Sequence, residues 1–329
     1  MRILVTGATG FVGRHLLPAL ERSAHSLSLP LRESGAEARL PSQAARDARK
    51  ISIVGSIDDQ TNWNEALQDV DAVIHLAARA HVLDESAEDE EAFMRVNAHG
   101  TSRLVEQSIE AGVRRFVFMS SIGAVTDSSE NLVTLDTPCK PETPYGRSKL
   151  AAERALVDRC RSATMAWTIL RPTLVYGPGT PGNMGRLVDL VRRGLPLPLG
   201  SVANRRSFTF IENLVDATTV TVAHPNAADA VFLLGDGEDL STAELIRRLA
   251  ELTGSRTRLI SVPMPLLRSF ARAVDAVAHT MGRSLPIDSA TLRRLESSLY
   301  VDINPLRERL GWTPPVGVEE GLKRMLAAP

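Results

Sequence analysis

Residues 3–13 read Ile3-Leu4-Val5-Thr6-Gly7-Ala8-Thr9-Gly10-Phe11-Val12-Gly13 and lead into His15-Leu16-Leu17. A short apolar run, three spaced glycines and an apolar-periodic stretch are the pattern of a strand, a tight turn and a helix start. Such a helix start presents unpaired N–H groups and the positive end of its dipole, a cradle for a pyrophosphate. Gly7 suits the tight turn, Gly10 the close approach of phosphate, and Gly13 the packing of helix on sheet. The spacing GxxGxxG is one residue longer than the usual dinucleotide fingerprint, so its weight comes from its place at the first strand–helix junction.

Outward from this turn, short apolar runs alternate with longer amphipathic stretches up to about residue 172, the pattern of βαβ units around a parallel sheet. Strands are expected at 3–5, 27–29, 52–54, 72–75, 116–119 and 167–170, with helices near 11–23, 62–68, 90–111 and 144–163. After Arg171-Pro172 the chain reads GPGTPGN, a helix near 183–194 and LPLPLG, punctuation that marks a domain crossing. A strand at 207–211, a helix from Asn213 to about Ala223 behind the acid Glu212, and the run 231–234 read as a return to the sheet. Ser241-Thr242-Ala243-Glu244 is a capping box before a mainly helical remainder. The expected fold is therefore α/β, a doubly wound parallel sheet with a smaller C-terminal α/β cap. The sheet domain takes 1–172 and about 205–236, the cap about 173–204 and 237–329. The acidic run from Asp84 to Glu91 reads as a solvated helix start.

Composition narrows the class further. The chain has 329 residues, 43% of them hydrophobic and 23% charged, the profile of a globular protein and not of a disordered or collagenous one. With 38 Lys+Arg against 39 Asp+Glu, an anionic ligand must be held by local groups, and bulk nucleic-acid binding is not expected. Two cysteines, Cys139 and Cys160, make neither a disulfide framework nor a metal site, so no metal is expected and a reducing cytoplasm fits. The first residues do not read as a signal peptide and no apolar run approaches a membrane span, so neither export nor membrane insertion is expected.

The end of the second expected strand bears on the choice of dinucleotide. An acid there normally bonds the adenosine ribose hydroxyls, whereas this chain has Leu31 and then Arg32. A cation in that place favours a 2′-phosphate and hence NADP, while Glu33 and Glu37 lie close enough to keep NAD open.

Tyr145-Gly146-Arg147-Ser148-Lys149 sets a phenol and an ammonium four residues apart, on one face of a helix beginning near Pro144. With 3 Tyr and 4 Lys in the chain, that spacing arises by chance roughly one time in 27. A phenol with an ordinary pKa of about 10 needs a cation to work near neutral pH, and Lys149 is placed to supply one. Ser120 and Ser121 end the strand at 116–119, which is the ligand edge of a parallel sheet. Ser121 is the expected second hydroxyl, orienting a carbonyl oxygen while Tyr145 gives or takes a proton; Ser120 reads as a strand-end cap.

TGATGFVG, HLAA at 75–78, Asn97, SSI at 120–122, YGRSK and LRPTLVYGPG together resemble the extended short-chain dehydrogenase/reductases, the NAD-dependent epimerase/dehydratase family, over essentially the whole chain. The resemblance implies a Rossmann domain with a cap that binds a nucleotide-sugar, UDP-linked, and a catalytic triad at Ser121, Tyr145 and Lys149. It implies a cofactor site along Gly7, Thr9, Gly10, Phe11, Val12 and Gly13, then Arg32, Ser56, Ile57, Leu76, Ala77, Ala78, Asn97 and Pro172, with Tyr145 and Lys149 at its end. Asn183 and Arg206 look like the asparagine and arginine that hold the sugar-nucleotide diphosphate, with Arg294 as a further contact. The resemblance also implies a homodimer through helices at about 90–111 and 144–163.

Within that family the chain looks most like reductases of UDP-4-keto-6-deoxy-N-acetylhexosamines, which serve surface-polysaccharide synthesis. It departs from them at Gly123-Ala124-Val125-Thr126, where a KVNG-like segment is more usual. Ile122-Gly123 follow Ser121 where a dehydratase carries an Asp-Glu pair, and neither can move a proton, so dehydration is disfavoured. Hydride reduction of a keto-sugar is the expected activity. A UDP-hexose 4-epimerase with tightly bound NAD is the alternative, and a non-catalytic dinucleotide-binding regulator the second.

Overall fold

The computed structural model describes residues 1–41, 49–80, 87–281 and 289–327. Part of the acidic run, Asp84 to Ser86, lies outside these residues. Strands β1 (Arg2–Thr6), β2 (Ser26–Leu31), β3 (Arg49–Ile53), β4 (Ala72–His75), β5 (Arg115–Met119) and β6 (Ala166–Pro172) pair in parallel in the order β3-β2-β1-β4-β5-β6. Strands β7 (Leu174–Tyr176) and β8 (Arg206–Phe210) lie elsewhere, and β9 (Ala230–Leu234) completes the main sheet beside β6. The order reverses between β1 and β4, the switch point outside whose strand ends ligands bind in open α/β sheets. This is the Rossmann-like α/β fold expected from the glycine turn.

Alternation along each strand divides the core in two. Ile3, Val5, Ile74 and Val117 face helices α1 (Phe11–Arg22) and, later in the chain, residues 211–223. Leu4, Val73, Phe116 and Phe118 face the opposite layer, with Leu104 and Leu156 packed on them. That second layer holds α2 (Ala87–Phe93), a π turn at Met94–His99, α3 (Gly100–Glu110) and α4 (Pro144–Cys160). The stretch expected as one helix at 90–111 is thus interrupted by the wider turn that carries Asn97.

Two further expectations change. Residues 64–69 form turns, not a helix: the Trp63 N–H is held by the Gln107 side chain at 2.6 Å and the Asn64 N–H by Asn62 Oδ1 at 3.0 Å. After one helical bond, Leu67 N–H to the Trp63 carbonyl at 2.9 Å, the Gln68 and Val70 N–H groups reach back only three residues, to Glu65 at 3.4 Å and Leu67 at 3.1 Å, and Asp69 at φ 58° ends the turn. β8 does not return to the main sheet. The whole edge of β6 from Thr168 to Pro172 is taken by β9, so β8 pairs with β7 and with β10 (Asp239–Leu240) in a three-stranded sheet of its own.

In the C-terminal part, helix α5 (Asn183–Arg192) follows β7, and α6 (Ile211–Ala223) starts two residues earlier than expected, taking Glu212 into its first turn. The capping box is formed at α7 (Thr242–Thr253): Ser241 Oγ accepts the Glu244 N–H at 3.1 Å, and Glu244 accepts the Ser241 N–H at 2.7 Å. Among the described residues no helix is long and apolar enough to cross a membrane.

Gly7 and Gly13 explain why α1 lies so close to β1. Gly7 has φ 70°, and a Cβ there would sit 2.8 Å from the Ala77 backbone nitrogen. A Cβ on Gly13 would press on the Gly7 carbonyl and lie 2.7 Å from the Ala8 carbonyl oxygen. Both obstacles are backbone and cannot rotate away. Gly13→Ala should therefore destabilise the protein by about 3 kcal/mol, measured as a lower urea midpoint with an unchanged slope.

Candidate active site

Two clefts open at the switch point. The first, of 730 Å³, is lined by Gly7, Thr9, Arg32, Ser56, Ile57, Ala77 and Ala78 of the expected cofactor site, with Arg39 and Arg95. The second, of 650 Å³, is lined by Gly7, Gly10, Phe11, Val12, Gly13, Leu76, Ala78 and Pro172, and also by Ser121, Tyr145, Lys149 and Asn183. Gly7 and Ala78 border both, so the two clefts meet across the glycine turn.

The residues present fit a dinucleotide. The N-cap of α1, Gly10, makes no side-chain cap bond, which leaves the first N–H groups of the helix to a phosphate. Gly7 supplies the close backbone approach to Ala77 that any side chain would block. At the outer end of the first cleft, Arg32 donates to Ser56 Oγ at 3.4 Å, and Glu33 is paired with Arg39 at 2.8 Å.

Helix α4 positions the catalytic candidates. Thr143 caps it by accepting the Gly146 N–H at 3.1 Å, and Pro144 follows at the first helical position. A Cβ on Gly146 would strike the Gly123 carbonyl, so this glycine lets the helix lie against the turn after Ser121. Ser121 Oγ accepts the Gly123 N–H at 3.1 Å, which leaves its hydroxyl proton to point at the Tyr145 oxygen. Burial pushes the Tyr145 phenol up to about 12, and the Ser121 hydrogen bond draws it down.

Burial shifts Lys149 as well. Its ammonium is 2% exposed, donates to the Met119 carbonyl at 2.7 Å and lies 4.6 Å from the centre of the Phe118 ring. Burial pulls it down to about 7, against the pull of the Glu153 carboxylate, which favours the charged form. Near pH 7 it is therefore only partly protonated.

Sequence reasoning missed Glu153, the next residue of the same helix face after Tyr145 and Lys149. Its carboxylate is buried, accepts from Ser120 Oγ at 2.5 Å and forms a two-bond pair with Arg171 at 2.9 and 2.6 Å. Ser120 is thus tied to α4, and not simply a strand cap. The i, i+4, i+8 spacing of Tyr145, Lys149 and Glu153 was the available signal. Asp127 and Thr143, which also line the second cleft, carried none.

Asn97 is buried and lines neither cleft. Its Oδ1 accepts the Arg79 N–H at 2.8 Å, and its Nδ2 donates to the Arg79 carbonyl at 3.0 Å and to Ser148 Oγ at 2.9 Å. It fastens the chain leaving β4 to α4. Asn183 does face the second cleft, from the start of α5. Arg206 and Arg294 line neither: Arg206 Nη1 donates to the Arg294 carbonyl at 2.7 Å and to the Ser297 carbonyl at 3.2 Å.

A doubly wound sheet whose switch point opens on a glycine turn and a Ser-Tyr-Lys cluster is the architecture of a dinucleotide-dependent enzyme. Residues 3–235 match the NAD dependent epimerase/dehydratase family. The chain is 38% identical to a UDP-glucose 4-epimerase of Vibrio cholerae, covering 99% of this chain and 94% of that one. It is 25% identical to N-acetyl-alpha-D-glucosaminyl-diphospho-ditrans,octacis-undecaprenol 4-epimerase of Escherichia coli, over 98% of this chain and 94% of the relative. Among solved structures, MoeE5 in complex with UDP-glucuronic acid and NAD superposes with a TM-score of 0.75 at 28% identity, covering 99% of this chain and 98% of that one. The chain belongs to the NAD-dependent epimerase/dehydratase family and is an enzyme.

The titration of Lys149 is testable without any ligand. In the unfolded chain it keeps its proton to about 10.5, in the folded chain only to about 7. Between these values the folded state binds fewer protons, so the penalty on stability is full below about 7 and relieved as pH rises towards 10.5. Lys149→Met should therefore stabilise the cofactor-free protein more at pH about 6 than at pH about 9 in urea unfolding. Equal effects at the two values would refute a depressed Lys149.

Proposed function

We propose that the chain moves hydride at C4 of a UDP-linked sugar and is a 4-epimerase using NAD. What carries this reading is the placement of Ser121, Tyr145 and Lys149 on one cleft that meets, across Gly7, a second one lined by the glycine turn and the end of β2. The 38% identical relative over nearly the whole chain, a UDP-glucose 4-epimerase, supports epimerisation over the keto-sugar reduction expected from the sequence. The NAD in the MoeE5 complex supports the cofactor.

In this mechanism the bound dinucleotide supplies the hydride acceptor and donor. Tyr145 acts as its phenolate, which the Lys149 ammonium and the positive charge of an oxidised nicotinamide would favour against the burial that raises its pKa: it takes the proton of the C4 hydroxyl as the carbonyl forms and returns it as the carbonyl is reduced from the other face. Ser121 donates its hydroxyl proton to the same oxygen and holds it in line. Lys149, anchored by the Met119 carbonyl, fixes the wall on which the nicotinamide ribose rests. Asn183 binds the sugar-nucleotide diphosphate from the cap side, while Arg206 and Arg294 brace the cap itself. The reading keeps the division into a sheet domain and a smaller cap that closes the second cleft.

A second reading rests on one observation. Arg32 lines the first cleft where a ribose-binding acid is usual, beside Arg39, its ion-pair partner Glu33 and Asp58, and a cation in that place favours a 2′-phosphate and so an NADPH-dependent reductase. The nucleotide that copurifies separates the two. Retained NAD with interconversion of UDP-glucose and its C4 epimer supports the epimerase; an empty site that oxidises NADPH with a UDP-4-keto-6-deoxy-sugar supports the reductase. Binding of neither dinucleotide would overturn both.

Tyr145→Phe removes the proton carrier and leaves the ring that packs edge-on against Phe93 at 6.1 Å. Turnover should fall by about 10²–10⁴-fold, with dinucleotide affinity unchanged in a fluorescence titration. Activity near that of the unaltered protein would remove Tyr145 from its role.

A further inference from the structure

The second cleft has an uneven charge pattern. Among its described lining residues the charged ones are Lys149 and Asp127, and no arginine is present. Lys149 is engaged by the Met119 carbonyl at the cofactor end. Asp127 lines the same cleft as the Ser121 and Tyr145 hydroxyls that a sugar's C4 oxygen would have to reach.

Three bonds orient the Asp127 carboxylate. Oδ2 accepts the N–H groups of Glu142 at 2.9 Å and Thr143 at 3.2 Å, and Oδ1 accepts the Thr143 hydroxyl at 3.2 Å. A carboxylate has about four lone-pair sites, so Oδ1 keeps one for a ligand. Gly123 opens the space beside it. Its chain neighbours aside, a Cβ at Gly123 would meet only Ser121 Oγ at 3.4 Å and Asp127 Oδ1 at 4.0 Å. Ser121 Oγ and Asp127 Oδ1, both on the wall of the second cleft, therefore lie about the same open point beside Gly123.

We propose that Asp127, with the gap over Gly123, selects the sugar: it accepts a hydrogen bond from a hydroxyl or amide N–H of a neutral hexose or N-acetylhexosamine and rejects uronic acids. The inference rests on the UDP-sugar reading above. A uronate carboxylate placed here meets a like charge and finds no cation among the described residues of the cleft wall to pair with. This chain then parts from MoeE5, which was solved with UDP-glucuronic acid.

The test is calorimetric titration of the full chain, saturated with NAD, by UDP, UDP-glucose, UDP-N-acetylglucosamine and UDP-glucuronate. Both neutral sugars should bind about tenfold or more tightly than the uronate, and Asp127→Asn should close most of that gap. Gly123→Ala, which fills the space at ordinary contact distances, should weaken both neutral sugars and leave UDP unchanged. UDP-glucuronate binding as well as UDP-glucose overturns the proposal, as does a gap that survives in a folded, NAD-binding Asp127→Asn protein. Should that variant not fold, Gly123→Ala decides: weakened neutral sugars uphold the proposal, and unchanged ones overturn it. Failure of UDP and all three sugars to bind overturns the UDP-sugar reading itself, and is distinguishable because UDP reports on that reading alone.

Discussion

At the switch point β1 and β4 leave the sheet side by side and their chains diverge, which strips the Leu76 and Ala77 N–H groups of strand partners. Thr6 meets both, its hydroxyl oxygen accepting each at 3.1 Å. Those two bonds fill its acceptor sites, so its proton goes to His75 Nδ1 at 2.7 Å. His75 is then the Nε2–H tautomer and donates to Thr101 Oγ1 at 2.9 Å, which donates to the Asn97 carbonyl at 2.5 Å. Burial drives the His75 pKa down to about 3, with the Lys149 charge adding to the effect, so the ring stays neutral and the chain of donors keeps one direction. The mouth of both clefts depends on this chain, because Gly7 and Ala78, next to the residues it holds, border both.

A second buried device holds the other wall. Glu153 and Arg171 join α4 to β6 with side chains 4% and 8% exposed, and Ser120 joins the same carboxylate from β5. Leaving either charge without its partner in such a site costs about 3–5 kcal/mol, so the pair specifies how α4 sits on the sheet. Tyr145, Lys149 and Glu153 follow one another along that helix at intervals of four. The Tyr145 phenol, the Lys149 ammonium and the Glu153 anchor are therefore set by one helix rotation.

Much of this was legible in the chain. The glycine turn, the alternation of short apolar runs and the Tyr145/Lys149 spacing each express a local rule, a period or a backbone requirement. The errors fell where a distant residue intervened. The Gln107 side chain holds the Trp63 N–H from 44 residues away, beside a segment that forms turns; β9 occupied the β6 edge, and β8 lies in a separate sheet. Arg206, read as a diphosphate ligand, is bonded instead to the 294–297 backbone.

The sequence by itself determined the Rossmann sheet, the phosphate turn and the identity of the Ser121, Tyr145 and Lys149 cluster, because strand and helix periods and glycine's lack of a Cβ act over a few residues. Only the tertiary structure decided the protonation of Lys149, the neutrality of His75, the pairing of Glu153 with Arg171 and the exposure of Asp127 to the second cleft. Each of these is a matter of solvation and charge at a point in space, set by segments far apart in the chain, and a linear pattern carries no measure of either.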